Sequence, residues 1–561
     1  MSRSRSKQML KKLSIGTVLV LAVLSLLAFA AFSDQEILRG GVLRVITNNI
    51  SSNSSNPFLA AGQNLPGTHS MVYERLFYVN PVSGDETSLL GVSYKWSEDN
   101  LKLTVKTRQG VRWSDGEAFG AKDVAFTFNY IKEHPALDLS AIWGGGLEKV
   151  EAVDDQTVVF TFSAPNTPLF TYLVSQAIAP EHIWAKIDDP VTYTNEKPVG
   201  TGPFLLDSYS LQQFASYVRN PNYWMEGRPY IDRVNLKFVQ DNNAQLMMML
   251  LNEADFTYLF VPDVKKTFVA HDPAVHASYW PVYNDNLLYL NTAKKTLDQV
   301  AFRKAVAMAI DKKAMSEKIY YGDAGVADPT GILPSQLNKW LSADLKAMSY
   351  SYDPDGARKV LKDAGFSWDT NGNLLGLDGE RLPVFKILVG AGWTDFIGMA
   401  QIISKNLEEL GIKTSIDQES WGGYIGGLQN GTYDMAICWG TGDGPTPYYF
   451  YYKMLSPQFS ATKIGETALS DYSRFTDPAV TAALASYRAT SDFAVQLDAI
   501  HTIAQVVLEN VPFIPLTDRP NFSCYNTSTF VGFASDENPY NDGCGPNQPG
   551  AEMMYLNVHL K

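Results

Sequence analysis

"VFKILVGAGWTDFIGMAQIISKNLEELGIKTSI" (residues 384–416) carries two periodicities in one segment. Val384 to Val389 is a short apolar run of strand length. Asp395 to Leu410 repeats its apolar positions at helical spacing and stops at Gly411. Ile412 to Ile416 is a second apolar strand. Strand, helix and strand in this order form a βαβ crossover, which implies parallel strands with helices on the faces of the sheet. Downstream, "TYDMAICW" (432–439) reads as a further buried strand. Two helices are expected near 477–489 and 492–510, followed by "VPFIPL" (511–516).

Upstream of the crossover the texture continues in kind. Asp298 is placed to cap a helix that includes Val306 and Ile310 and ends before Gly322. "YDPDGARKVLKDAGF" (352–366) has Asp353 as N-cap, Pro354 at the first helical position and Gly365 as its stop. Residues 40–200 differ: they read mostly as strands and turns. "GGVLRVITN" (40–48) opens a strand after Gly41, "LKLTVKTRQGVRWSDG" (101–116) alternates with period two, and "KVEAVDDQTVVFTFS" (149–163) is a hairpin about Asp154-Asp155. One helix interrupts, "GAKDVAFTFNYIKEH" (120–134), with Val124, Phe128 and Ile131 on one face. No linker separates the β-rich first third from the α/β later half. The fold class is therefore α/β, with lobes joined by chain crossings rather than beads on a string.

The chain has 561 residues, 45% hydrophobic and 19% charged, which suits more than one globular unit. A formal net charge of −13 argues against nucleic acid and anionic membrane surfaces as partners. The first 33 residues form a separate object: basic "MSRSRSKQMLKK", then apolar "LSIGTVLVLAVLSLLAFAAF". This reads as a signal peptide cut after Ala30 or Ser33. The apolar run is also long enough for an uncleaved N-terminal anchor. Either way the bulk of the chain is exported, and no Cys near the cut suggests a lipoprotein. Cys524 and Cys544 are candidates to pair in an oxidising compartment, whereas Cys438 in "DMAIC" reads as a buried strand thiol.

Catalytic and metal chemistry find no support. The seven His fall into no ligand spacing, and CxxC, a nucleophile elbow and a phosphate loop are all missing. "DTNGNLLGLDGE" (369–380) places Asp369, Asn371, Asn373 and Glu380 at calcium-loop positions, but Leu374 stands where Gly is required and a hairpin fits better. No cofactor, no metal and no enzymatic activity are expected. The 11 Trp and the aromatic stretch "CWGTGDGPTPYYFYY" (438–452) are more informative, because flat apolar faces suit the C–H faces of sugars.

"PVGTGPF" (198–204) followed by "RNPNYW" (219–224) resembles the family 5 extracellular solute-binding proteins, the peptide- and nickel-binding receptors of ABC importers. "GVRWSDGEAFGAKDVAFTFNYI" (110–131), "LYLNT" (288–292), "AFRKAVAMAIDKKAM" (301–315) and "YDPDGARKVLKDAGF" extend the match in order over almost the whole mature chain. The resemblance implies a two-lobed periplasmic-binding-protein fold (class II type, cluster C) with an extra domain. By order, domain I would combine 36–78, 198–287 and 510–561, domain II would be 79–197, and domain III 288–509. Hinge crossings would fall near Tyr283–Leu290 and Val511–Pro515. The implied partners are a small-molecule ligand and membrane permease subunits, with the receptor a monomer.

Within that family, peptide receptors carry an Asp for the peptide ammonium at a position that here aligns with Thr441; Asp443 is two residues away. "GPTPYY", "VPFIPL" and "FVGFASDENPYN" look more like the branch that binds cello-, xylo- or manno-oligosaccharides. The expected sugar site comprises Trp439, Tyr448 and Tyr449 as stacking faces and Asp443 as acceptor. Trp421 and Trp280 are further candidates, with Asn48 and Asn49 reaching in from the other lobe. The alternative for Tyr448 to Tyr452 is the packed start of a helix. The alternative function is a peptide receptor.

Overall fold

A computed structural model describes residues 37–47, 52–442 and 444–561. The leader and the candidates Asn48, Asn49 and Asp443 lie outside the described residues. Three sheets organise the rest. A 7-stranded sheet runs in the order 276–279, 523–526, 256–258, 42–47, 233–238, 214–219, 204–210. A 5-stranded sheet runs 414–419, 385–390, 435–439, 282–290, 513–520. A 4-stranded antiparallel sheet, 91–96, 102–107, 157–162, 147–154, forms the third body.

The βαβ unit is in place. Phe385–Gly390 pairs in parallel with both Thr414–Glu419 and Met435–Trp439, and the helix Thr394–Glu409 buries Phe396, Met399, Ile403 and Leu407 on the sheet. Gly411 sits at φ 82, in the left-handed region that favours Gly at a helix end. Asp353 caps Pro354–Asp363 through the Gly356 amide at 2.9 Å. The helix expected from Asp298 is instead two helices. Val300–Ala309 ends at Ile310, and Lys312–Ile319 begins at Asp311, whose carboxylate accepts from the Ala314 amide at 2.9 Å. The second cap inside "AIDKK" outweighs the continuous helical spacing.

The 3-residue run Gly144–Gly146 precedes the strand Leu147–Asp154 as a turn. The calcium-like segment is a hairpin, Ser367–Trp368 against Leu374–Leu375, with Asp369 bound to Arg381 at 2.6 Å. Cys524 and Cys544 are free, buried thiols, not a disulfide. Cys524 belongs to the hydrophobic cluster of Met249 and Phe268, and Cys544 to that of Tyr279 and Tyr555, so the two lie in different cores. Cys438 is buried in its strand.

The chain passes from the 7-stranded to the 5-stranded sheet between Tyr279 and Val282 and returns between Pro520 and Ser523. Both connecting strands, Val282–Leu290 and Phe513–Pro520, are strands of the 5-stranded sheet and pair with each other from Val282 to Tyr289.

The glycines of "PVGTGPF" are required by close approach. A Cβ on Gly200 would lie 1.9 Å from the Val72 carbonyl oxygen, and one on Gly202 would lie 2.3 Å from that of Met71. The Gly202 amide donates to Val72 at 2.9 Å, and Asn220 of "RNPNYW" donates to the Gly202 carbonyl at 2.9 Å. Tyr223 and Trp224 then donate to Glu74 at 2.7 and 2.9 Å. The motif thus locks the segment that carries Glu74 and Arg75.

Candidate ligand-binding cleft

Where the three bodies meet there is a cavity of about 590 Å³, within the usual range for small-molecule sites. The first lobe contributes Arg75, Tyr258, Asn521 and Asp542. The third body contributes Thr171 and Tyr172, and the second lobe Tyr283, Gly444 and Pro445. Gly444 and Pro445 belong to the aromatic stretch. That stretch leaves the strand Met435–Trp439, crosses the cavity edge, and enters the helix Pro447–Leu455. Its glycines are there because the loop is tight. Gly442 has φ 95, and a Cβ on Gly444 would meet the Tyr449 ring at 2.4 Å.

Arg75 is buried and donates to Glu552 at 3.1 Å, while the neighbouring Glu74 accepts from Tyr223 and Trp224. Burial pushes both carboxyl groups above the usual carboxylate range, while Arg75 pulls them back. Asp542 lies at the cavity wall, 3.3 Å from the Tyr78 hydroxyl, and burial raises its carboxyl as well.

The expected aromatic residues divide. Tyr448 and Tyr449 are 3% and 4% exposed. Tyr448 stacks on Tyr487 at 4.5 Å, and the Tyr449 hydroxyl donates to the Pro168 carbonyl at 2.9 Å while lying 2.6 Å from the Thr171 hydroxyl. Tyr448 is helix packing within the second lobe, and Tyr449 ties that lobe to the third body. Thr441 is half-buried against Met454, beside a small side cavity. Trp280 is half-buried in the first lobe and stacks on Phe260, which meets Tyr320 of the second lobe at 5.9 Å.

Trp439 and Trp421 do come together. They lie 6.4 Å apart with planes only 9° from parallel, and Trp421 is 59% exposed. A third indole joins them. Trp393 is 5.9 Å from both rings. The three stand at the C-terminal ends of three parallel strands: Trp439 closes Met435–Trp439, while Trp393 and Trp421 come just after Phe385–Gly390 and Thr414–Glu419. Ligands of open α/β sheets bind off that edge. Trp393 was missed because "AGWTD" looks like a plain strand-to-helix turn; its position relative to the strand end was the available signal. Asp542 was missed because the Gly/Asn/Pro-rich tail gave no periodicity.

The model of the bacterial extracellular solute-binding proteins, family 5 (middle) matches residues 87–462. Di/tripeptide-binding protein 2 of Pseudomonas aeruginosa (strain UCBPP-PA14) is 27% identical over 540 residues, covering 90% of this chain and 96% of the relative. Heme-binding protein A of Haemophilus influenzae is 27% identical, covering 84% and 85%. Among solved structures, a periplasmic oligopeptide-binding protein of an oligopeptide ABC transporter from Thermotoga maritima superposes with TM-score 0.85 at 25% identity, covering 93% of this chain and 99% of that one. A mannohexaose-bound structure described in the same words gives TM-score 0.78 at 24% identity, with 93% and 98% covered. Among the described residues no helix is long and apolar enough to cross a membrane. With its lobes, its connecting strands and the cleft where they meet, the chain belongs to family 5 of the bacterial extracellular solute-binding proteins, and it is an extracytoplasmic receptor of an ABC importer rather than an enzyme.

Proposed function

We propose that the receptor captures an oligosaccharide of the cello-, xylo- or manno- type and delivers it, as a monomer, to a membrane permease. The observation that carries this reading is the cluster of Trp393, Trp421 and Trp439 along one sheet edge, with Trp421 open to solvent. Indole faces hold a pyranose ring by apolar contact while its hydroxyls keep polar partners at the ring edge. Trp439 and Trp421 are the platform, and Asp443, Asn48 and Asn49 are the candidates for hydroxyl contacts. The mannohexaose-bound neighbour supports the idea that this fold accommodates such a chain.

The peptide reading is supported by the relative named for di- and tripeptide binding and by Asp542. Asp542 supplies a carboxylate at the cavity wall, where a peptide ammonium would need one.

A thermal-shift screen of the purified protein separates the two. The panel is cello-, xylo- and manno-oligosaccharides, di- to pentapeptides, and Ni²⁺. A ligand at 100 times its Kd adds about 2.7 kcal/mol of stability, which is visible as a shift. A shift with one sugar series alone is expected; a shift with peptides alone overturns the reading.

A further inference from the structure

Among the described residues, Arg519 is a largely buried cation without an anionic partner. It lies on the connecting strand Phe513–Pro520, opposite Asn284, two residues before Asn521 of the cavity wall. Its guanidinium sits 5.3 Å from the centre of the Trp439 ring. It donates a long hydrogen bond, 3.4 Å to the Asn286 side-chain oxygen, and is hydrogen-bonded to the Tyr283 phenol, but its Nε is buried with no acceptor among the described residues and no carboxylate pairs with it. The groups around it are the phenols of Tyr258, Tyr283 and Tyr320, two of which line the cavity. Asp395 feels its field but forms no ion pair with it, and burial raises that carboxyl above the usual range.

Other buried arginines of the molecule have closer partners. Arg75 pairs with Glu552, Arg474 donates to four carbonyls, and Arg303 donates to the carbonyls of Leu297, Asn510 and Val511. A guanidinium is always charged, and leaving one desolvated and unpaired is costly. It is tolerated where a ligand completes the pair.

We propose that Arg519 is a specificity residue that receives a carboxylate of the ligand, held in a two-pronged pair above the face of Trp439. The inference deepens the carbohydrate reading and rests on it for its first arm: the sugar would be an acidic one, carrying a uronate. A chain of net charge −13 repels anions at long range, so a local cation at the platform is what acidic-ligand binding requires. The same chemistry would take the carboxylate of a peptide.

The test is calorimetry with two matched pairs: trigalacturonate and its methyl ester, and trialanine and its amide. Wild type is compared with Arg519→Gln and Arg519→Lys, each checked by circular dichroism. In wild type the acid is expected to bind about tenfold to a hundredfold more tightly than its uncharged partner. That preference should vanish in R519Q and be partly kept in R519K, which retains charge but not the fork. If only the sugar acid is preferred, both readings stand. If only the peptide acid is preferred through Arg519, the carboxylate inference stands and the carbohydrate reading falls. No preference for acid over ester or amide in wild type, or an unchanged preference in R519Q, overturns the inference. A neutral sugar bound equally well would overturn it too, while leaving the tryptophan platform intact.

Discussion

Asp285 and Asp518 stand directly opposite each other on the two connecting strands. Both oxygens of Asp285 are buried and have no hydrogen-bond partner among the described residues. Burial, then the Asp518 charge, pushes its carboxyl well above the ordinary value, and Lys312 only partly offsets this. A carboxyl raised in the folded state holds its proton to higher pH than the unfolded chain does. The unfolded chain then binds fewer protons, so stability is lost as pH rises above the ordinary carboxylate range. Asp285→Asn removes that titration. The variant should lose less stability than wild type between pH 5 and pH 8, and melt higher than wild type at pH 8. Thermal melts across that range are the check, and parallel curves would contradict the assignment. At the same scale, Tyr448→Ala should cost ~3–5 kcal/mol of stability, as loss of a buried aromatic does. That outcome is expected because its ring packs on Tyr487 and Tyr452; a variant of unchanged stability with weakened sugar binding would restore Tyr448 to the site.

The elements were largely legible in the sequence where one periodicity governs a segment. The βαβ unit, the Asp154-Asp155 hairpin and the capped helix Pro354–Asp363 form where the residues place them. The single helix from Asp298 failed because Asp311 starts a new one, and a cap within an apolar run is masked by the run itself. The site was half legible. Trp421 and Trp439 are conspicuous residues at strand ends, whereas Arg519 and Asp542 acquire meaning only from burial, which no local pattern encodes. Tyr448 and Tyr449 were conspicuous for the opposite reason, as core rings of a short helix. The loop glycines make a further element-scale prediction. Gly202→Ala puts a methyl 2.3 Å from a backbone oxygen that cannot move without its turn. It should cost about 3 kcal/mol or more and lower Tm, with denaturant unfolding as the measurement; an unchanged midpoint would refute the close-approach explanation of the motif.

Two chain crossings and direct side-chain contacts join the first and second lobes. Phe260 meets Tyr320, and Lys265 pairs with Asp323 at 2.9 Å. The lysine is exposed, so that pair contributes little. The aromatic contact contributes more, because both rings leave water when they meet. Phe260→Ala should therefore shift the unliganded protein toward an open form and raise its radius of gyration in small-angle scattering. Ligand affinity should fall a few-fold, since closure must then be driven by the ligand alone. Identical scattering from the two proteins would remove Phe260 from the closure equilibrium.

A sugar chain held on the tryptophan edge of the second lobe is tested most directly by calorimetric titration of wild type and Trp439→Ala. The titrants are the oligosaccharide series that stabilises the wild type, with di- and tripeptides alongside. Wild type should bind the sugar measurably and bind no peptide, and the variant should lose sugar affinity at least roughly tenfold, as for removal of a buried aromatic anchor. Tight peptide binding that Trp439→Ala leaves unchanged would contradict the sugar platform.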